Sequence, residues 1–271
     1  MRAIPLLFLL AIASPALAQV TPLERTYGER VAMRALDQRC NLFASGPRRA
    51  LGGFTAQARG AALRAGAQSN QLNLISAQAT RAAATKSCGD PVVRTEAARV
   101  IAAHKGWRAQ MTAQYPGVVR QWRVDRSGLD SWRAVQETGN GIRAGIIGNA
   151  NKLAFAIETP DINAAGARLF LRDASRLGAP SAGQRLAIPL RAGTTTHVAA
   201  ERRSADSRVR IGTPSRAGTM LIFPDDTTRA VLIADPRDSF EIEITSRTGQ
   251  ITRVIVEVGD IVAAFAFAAE F

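Results

Sequence analysis

Apolar residues recur at three- and four-residue spacing from Thr21 to about Tyr115, and alternate with polar residues from Val118 onward. That change of period predicts helices first and strands after. Helix one is expected over 21–44. Thr21 is placed to cap it, Pro22 fits its first position, and Glu24 suits the positive end of its dipole. Leu23, Tyr27, Val31 and Ala35 form its stripe, continued by Leu36, Cys40 and Phe43. Helix two is expected over 47–65, carrying Leu51, Phe54, Ala58, Ala61 and Ala65, with Gly66 to end it. Ser69 or Asn70 caps helix three, which carries Leu72, Ile75, Ala79 and Ala82. Asp90-Pro91 opens helix four, whose stripe runs through Val93, Ala97, Val100, Ile101, His104, Trp107 and Met111. It ends at Tyr115-Pro116-Gly117.

Beyond it, Val, Ile, Phe and Thr sit between closely spaced Gly, Pro and Asp. Strands are expected at 119–125, 132–138, 142–147, 153–158, 167–172, 186–190, 208–211, 219–223, 240–245 and 252–258. Short strands with frequent turns argue an antiparallel sandwich or barrel. Ser246 to Gln250 reads as a hairpin turn between the last two strands. Glu241 and Glu243 would then face solvent, with Phe240, Ile242 and Ile244 inward. Stretches 179–184 and 201–207 read as loops. Asp225-Asp226 is placed to cap a short helix over 227–234, and Asp260 a final helix over 261–271, although the alternation of Phe265, Phe267, Ala269 and Phe271 also fits a strand.

The two cysteines, Cys40 and Cys88, fall at the end of helix one and in the loop between helices three and four. In an up-down-up-down bundle both positions lie at the same end, where a disulfide can reach across. Two unpaired buried thiols are the alternative. The compartment favours pairing, because the first residues read as a secretory signal. Arg2 supplies a positive start, 5–12 an apolar run, and Ala16-Leu17-Ala18 a cleavage site before Gln19. The expected mature chain is exported to the periplasm or secreted. No later stretch approaches the roughly 18 uninterrupted apolar residues of a membrane helix.

Charge separates the two halves. Residues 19–150 hold 19 Lys and Arg against 8 Asp and Glu, whereas residues 151–271 hold 15 against 14. A basic half can mark an anionic partner. An Arg-rich composition with only three lysines (Lys86, Lys105, Lys152) is the other explanation.

Little catalytic chemistry is written in the chain. Gly139-Asn140-Gly141-Ile142-Arg143-Ala144 formally fits a phosphate-binding G-x-G-x-x-A loop, but it leads into a strand, so a hairpin turn is the better reading. His104 and His197 have no nucleophile placed beside them by sequence, and with two cysteines they do not complete a metal site. Asp225-Asp226 and Asp235/Asp238 are better read as caps and turn formers. Neither catalytic residues, nor metal ligands, nor a cofactor are expected.

All three tryptophans are followed by arginine: Trp107-Arg108, Trp122-Arg123 and Trp132-Arg133, with Arg120 nearby. Arg108, Arg120, Trp122, Arg123 and Arg133 are therefore the candidate anion-binding residues, arginine for charge and forked donors, tryptophan for stacking. The competing explanation seats the tryptophans in the seam between bundle and sheet. Candidate partners are an anionic envelope polymer or another envelope protein; nucleic acid is disfavoured by export.

The order of strand (220–223), short helix (227–234), strand (240–245), strand (252–258) and final helix after Gly259-Asp260 resembles the end of secreted invasion-associated locus B-like β-sandwich proteins. That likeness implies a secreted β-sandwich and carries over no catalytic residue.

The expected fold is α+β. A signal peptide (1–18) precedes a disulfide-closed α-helical bundle (19–116) and a mainly antiparallel β-sandwich (117–271) with a short C-terminal helix. The expected role is a non-enzymatic binding or scaffolding module of the cell envelope. A basic module for anionic polymer comes second and a hydrolase third.

Overall fold

In a computed structural model, residues 20–126, 131–149, 152–180, 188–204 and 218–269 are described. The expected signal peptide with Gln19, the expected strand 208–211 and parts of the expected strand 186–190 and of both expected loops lie outside them.

Four helices come first: α1 (Pro22–Cys40), α2 (Ser45–Arg64), α3 (Ser69–Ala84) and α4 (Pro91–Arg108). Local chemistry starts α1 and α4 where the sequence indicates. The Thr21 hydroxyl accepts from the Glu24 N–H, and the Glu24 carboxylate accepts from the Thr21 N–H in return. The Asp90 carboxylate accepts from the Val92 N–H, with Pro91 at the first position of α4. Helix α3 differs from expectation: Gln68 occupies its cap position and no side chain caps it.

Helix α1 packs against α2 and α3 and only lightly against α4. Two small cores result, one around Met33, Leu36, Phe43, Leu51 and Val93, the other around Tyr27, Leu63 and Leu72. Cys40 and Cys88 are joined, with a Cα separation of 5.6 Å, tying the end of α1 to the α3–α4 loop.

The bundle is one turn shorter than its apolar stripe. Residues Thr112–Pro116 form strand β1 instead of prolonging α4, because they pair with β2 (Gln121–Arg126), Tyr115 opposite Trp122. The Arg126 guanidinium closes α4 by donating to the carbonyls of Arg108 and Gln110, both at 3.1 Å.

The remaining strands are β3 (Ser131–Gly139), β4 (Ile142–Asn149), β5 (Lys152–Thr159), β6 (Ala164–Arg172), β7 (Thr194–Val198), β8 (Glu201–Ser204), β9 (Thr219–Ile222), β10 (Ser239–Ser246) and β11 (Ile251–Glu257). One sheet runs β1-β2-β3-β4-β5-β9-β8 and the other β11-β10-β6-β7, with antiparallel pairing throughout. Short helices α5 (Ala174–Leu177), α6 (Asp225–Ile233) and α7 (Ile261–Ala268) join or cap them. Both hairpin turns form as expected: Asn140 and Gly141 hold positive φ between β3 and β4, and Gly249 does so between β10 and β11.

Two expectations are corrected here. Residues 188–190 are not a strand; beside β10, the second partner of β6 is β7, Thr194 to Val198. Residues 201–204 are not a loop. They form edge strand β8, and Arg202 anchors it to the carbonyls of Ala164 (2.7 Å) and Ile162 (2.8 Å).

The sandwich core sets Trp122, Val124, Ile146, Phe155 and Ile157 of the first sheet against Leu169, Phe240, Ile242, Ile244 and Val256 of the second. Helix α7 extends this core into the bundle. Phe267 meets Trp107 at 5.1 Å between ring centroids, Trp107 meets Phe54 at 5.2 Å, and Phe265 meets Trp132 at 5.6 Å. Gly53 and Gly60, seven residues apart on α2, allow the approach. A Cβ on Gly53 would come within 2.7 Å of the Ala266 Cβ, and one on Gly60 within 2.5 Å of Asp260 Oδ1. Asp260 does not cap α7 with its side chain; its carboxylate is bound to Arg64 of α2. No described helix is long and apolar enough to cross a membrane. The intramolecular disulfide is consistent with an extracytoplasmic protein.

Candidate functional site

The outer face of the seven-stranded sheet follows from period-2 alternation. On β2, Trp122, Val124 and Arg126 point into the core, leaving Gln121, Arg123 and Asp125 outward. On β3, Ala134 and Gln136 point inward, and Arg133, Val135 and Glu137 outward. Register sets Arg123 opposite Val135 and Asp125 opposite Arg133. Strand β4 then brings Arg143 opposite Glu137. Together with Gln114 of β1 and Arg120, these residues line a depression of about 440 Å³.

Its electrostatics are those of organised arginine. Asp125 accepts from Arg123 Nε at 3.1 Å and from Arg133 Nε at 3.2 Å, so one carboxylate aligns two guanidinium groups. Arg143 Nε donates to Glu137 at 3.3 Å. Four arginines meet the carboxylates of Asp125 and Glu137 here, with Glu257 a third carboxylate 4.0 Å from Arg120 Nη1 and the Gln114 and Gln121 amides beside them. Arg120 is held from behind. The carboxylate of Glu257, fully buried on the other sheet, accepts from the backbone N–H groups of Val118, Val119 and Arg120. Arg120 Nη1 donates to the Ile255 carbonyl at 3.1 Å.

Of the sequence candidates, Arg120, Arg123 and Arg133 therefore share one face. Arg108 does not; it ends α4, away from this depression. Trp122 cannot be a stacking surface. It is fully buried and its Nε1 donates to the Val258 carbonyl at 2.9 Å. The other tryptophans belong to the seam with α7: Trp107 donates to the Tyr115 hydroxyl at 2.9 Å, and Trp132 packs on Phe265. The Tyr115 phenol, buried there, is pushed up to about 12. Arg143, Gln114 and Gln121 were missed. Their signal is the alternation of 121, 123 and 125 combined with the register imposed by the Asn140-Gly141 turn.

The histidines make no catalytic constellation among the described residues. His104 is buried beside the Trp107 ring, 6.4 Å between centroids. His197 meets threonine hydroxyls, Thr227 at 3.2 Å through Nδ1 and Thr195 at 3.5 Å through Nε2. No described group of three or more His, Cys, Asp or Glu could hold a metal ion. No protein-family model, curated protein or solved structure matches the chain.

Proposed function

We propose that this chain is a non-enzymatic binding module of the cell envelope. In this reading it is exported after removal of residues 1–18 and holds an anionic polymer across the outer face of β1 to β4. The observation that carries the reading is the convergence of Arg120, Arg123, Arg133 and Arg143 on one depression, two of them aligned by a shared Asp125. Guanidinium forks pair with carboxylate, sulfate or phosphate groups through two parallel bonds, and a row of them across neighbouring strands suits a repeating anion. The likeness of β9 to α7 to invasion-associated locus B-like proteins supports a secreted sandwich and says nothing of this face.

Heparin chromatography of the mature, disulfide-intact chain tests the reading. A variant with Arg120, Arg123 and Arg133 each changed to Gln should elute at clearly lower salt than the parent. A control with the exposed helix residues Arg34, Arg81 and Arg94 changed to Gln removes the same charge. It should elute close to the parent. Equal losses in the two variants would show retention by diffuse charge and reject the site.

A further inference from the structure

The helical half holds a second concavity, of different chemistry. Because α4 touches α1 only lightly, a cleft of about 750 Å³ opens between α1, α2 and α4. That volume lies within the range of about 300–1,000 Å³ common to small-molecule sites. Its floor is apolar: Met33 and Leu36 from α1, Leu51 and Phe54 from α2, Val93 and Val100 from α4. Along α4 the lining runs from Val92 to Ala103, which at ~1.5 Å per residue makes the cleft roughly 16 Å long. One end is tied by Cys40–Cys88.

Charged side chains line it as well, Arg30 among them. Arg30 of α1 is half-buried, with its guanidinium 5.7 Å from the centroid of the Phe54 ring and donating to the Phe54 carbonyl. Among the described residues no carboxylate lies within ion-pair distance of it, and the acceptor it reaches in the chain is the Phe54 carbonyl. Burial draws its pKa below the ordinary guanidinium value; Glu29 next to it acts the other way. Of the other charged lining residues, Glu29 and Lys86 are exposed to solvent and the rest are engaged. Glu96 pairs with Arg99 at 2.5 Å, and Asp90 caps α4.

We infer that this cleft binds a single-chain fatty acid, its carboxylate on Arg30 and its tail along Met33, Leu36, Leu51 and Val93 toward the disulfide. A half-desolvated guanidinium on an apolar floor selects for one anionic group joined to one apolar chain. A neutral lipid would leave the cation unanswered, and a bare anion would leave the floor wet.

Isothermal titration with dodecanoate below its micellar concentration tests the inference, with dodecyltrimethylammonium as the same tail on a cationic head. The mature chain should bind dodecanoate saturably at one site and the ammonium amphiphile at least tenfold more weakly. Arg30→Met should erase that preference and Arg30→Lys should retain most of it. Val100→Trp, which fills the cleft, should abolish both, while circular dichroism and heparin retention stay those of the parent. Equal affinity for the two amphiphiles, no saturable binding to a natively folded chain, or unchanged dodecanoate affinity in Arg30→Met and Val100→Trp would each overturn it.

Discussion

Arg64 donates both terminal nitrogens to Asp260, at 2.7 and 2.9 Å, across 196 residues of sequence. The pair joins helix α2 of the bundle to the start of helix α7 at the end of the sandwich. Its side chains are 14% and 1% exposed. Burial pushes the Asp260 carboxyl up from its usual value, and Arg64 opposes that shift. Asp260→Ala should leave a guanidinium buried without its partner and cost about 3–5 kcal/mol. The double change Arg64→Met with Asp260→Leu should recover most of that loss. Urea unfolding of the three chains measures both.

The same junction makes a steric prediction. Gly60→Ala places a methyl group against the Asp260 carboxylate, and Gly53→Ala places one against Ala266. Each should cost about 1–3 kcal/mol by forcing α2 and α7 apart. At Gly52, where an added Cβ meets nothing within 4 Å, alanine should be neutral or slightly stabilising. Thermal melts of the three variants separate these outcomes.

The disulfide should matter more than a bundle of this size would otherwise require. Alanine supplies much of the helix packing and buries little apolar area per residue. Closing a loop across a sequence separation of 48 contributes about 4 kcal/mol in the chain-entropy model. Cys40→Ser with Cys88→Ser should lower the urea midpoint by a corresponding amount. An unchanged midpoint would mean that the helices hold their arrangement without the link.

Acid sensitivity is expected from Glu243. Hydrogen bonding from Arg191, opposed by burial and reinforced by Arg253 and Arg168, holds its carboxyl down at about 2. Its folded-state pKa lies below the ordinary glutamate value of about 4.3. The stability it supplies is therefore complete above about pH 4.3 and is lost as pH falls toward 2. Glu243→Gln should be less stable at neutral pH and should lack that part of the acid decline. Denaturation midpoints between pH 7 and 2 test it.

Much of the architecture was legible because local chemistry agrees with the packing. Thr21 and Asp90 start helices where their side chains can cap, and those starts bring Cys40 and Cys88 to one end. Phe240, Ile242 and Ile244 face the core as their alternation requires. The departures come from contacts distant in sequence. Thr112–Pro116 continues a helical stripe and becomes a strand because β2 is there to pair with it. Glu243 sits on the outward side of its strand, yet is 1% exposed because arginines from three other segments cover it. Asp260 has the position of a cap, but Arg64 claims its carboxylate. The arginine face was half legible. Trp-Arg spacing pointed to Arg123 and Arg133, but register was needed to add Arg143, the helix end to set Arg108 apart, and burial to show Trp122 turned inward.

Hydrogen exchange of backbone amides, with and without a heparin oligosaccharide, tests the arginine face most directly. Slowed exchange confined to β1 through β4, strongest around Arg120 to Asp125 and Arg133 to Arg143, is the result this account predicts. Slowing spread over the helices from Pro22 to Arg108, with the strand amides unchanged, would contradict it.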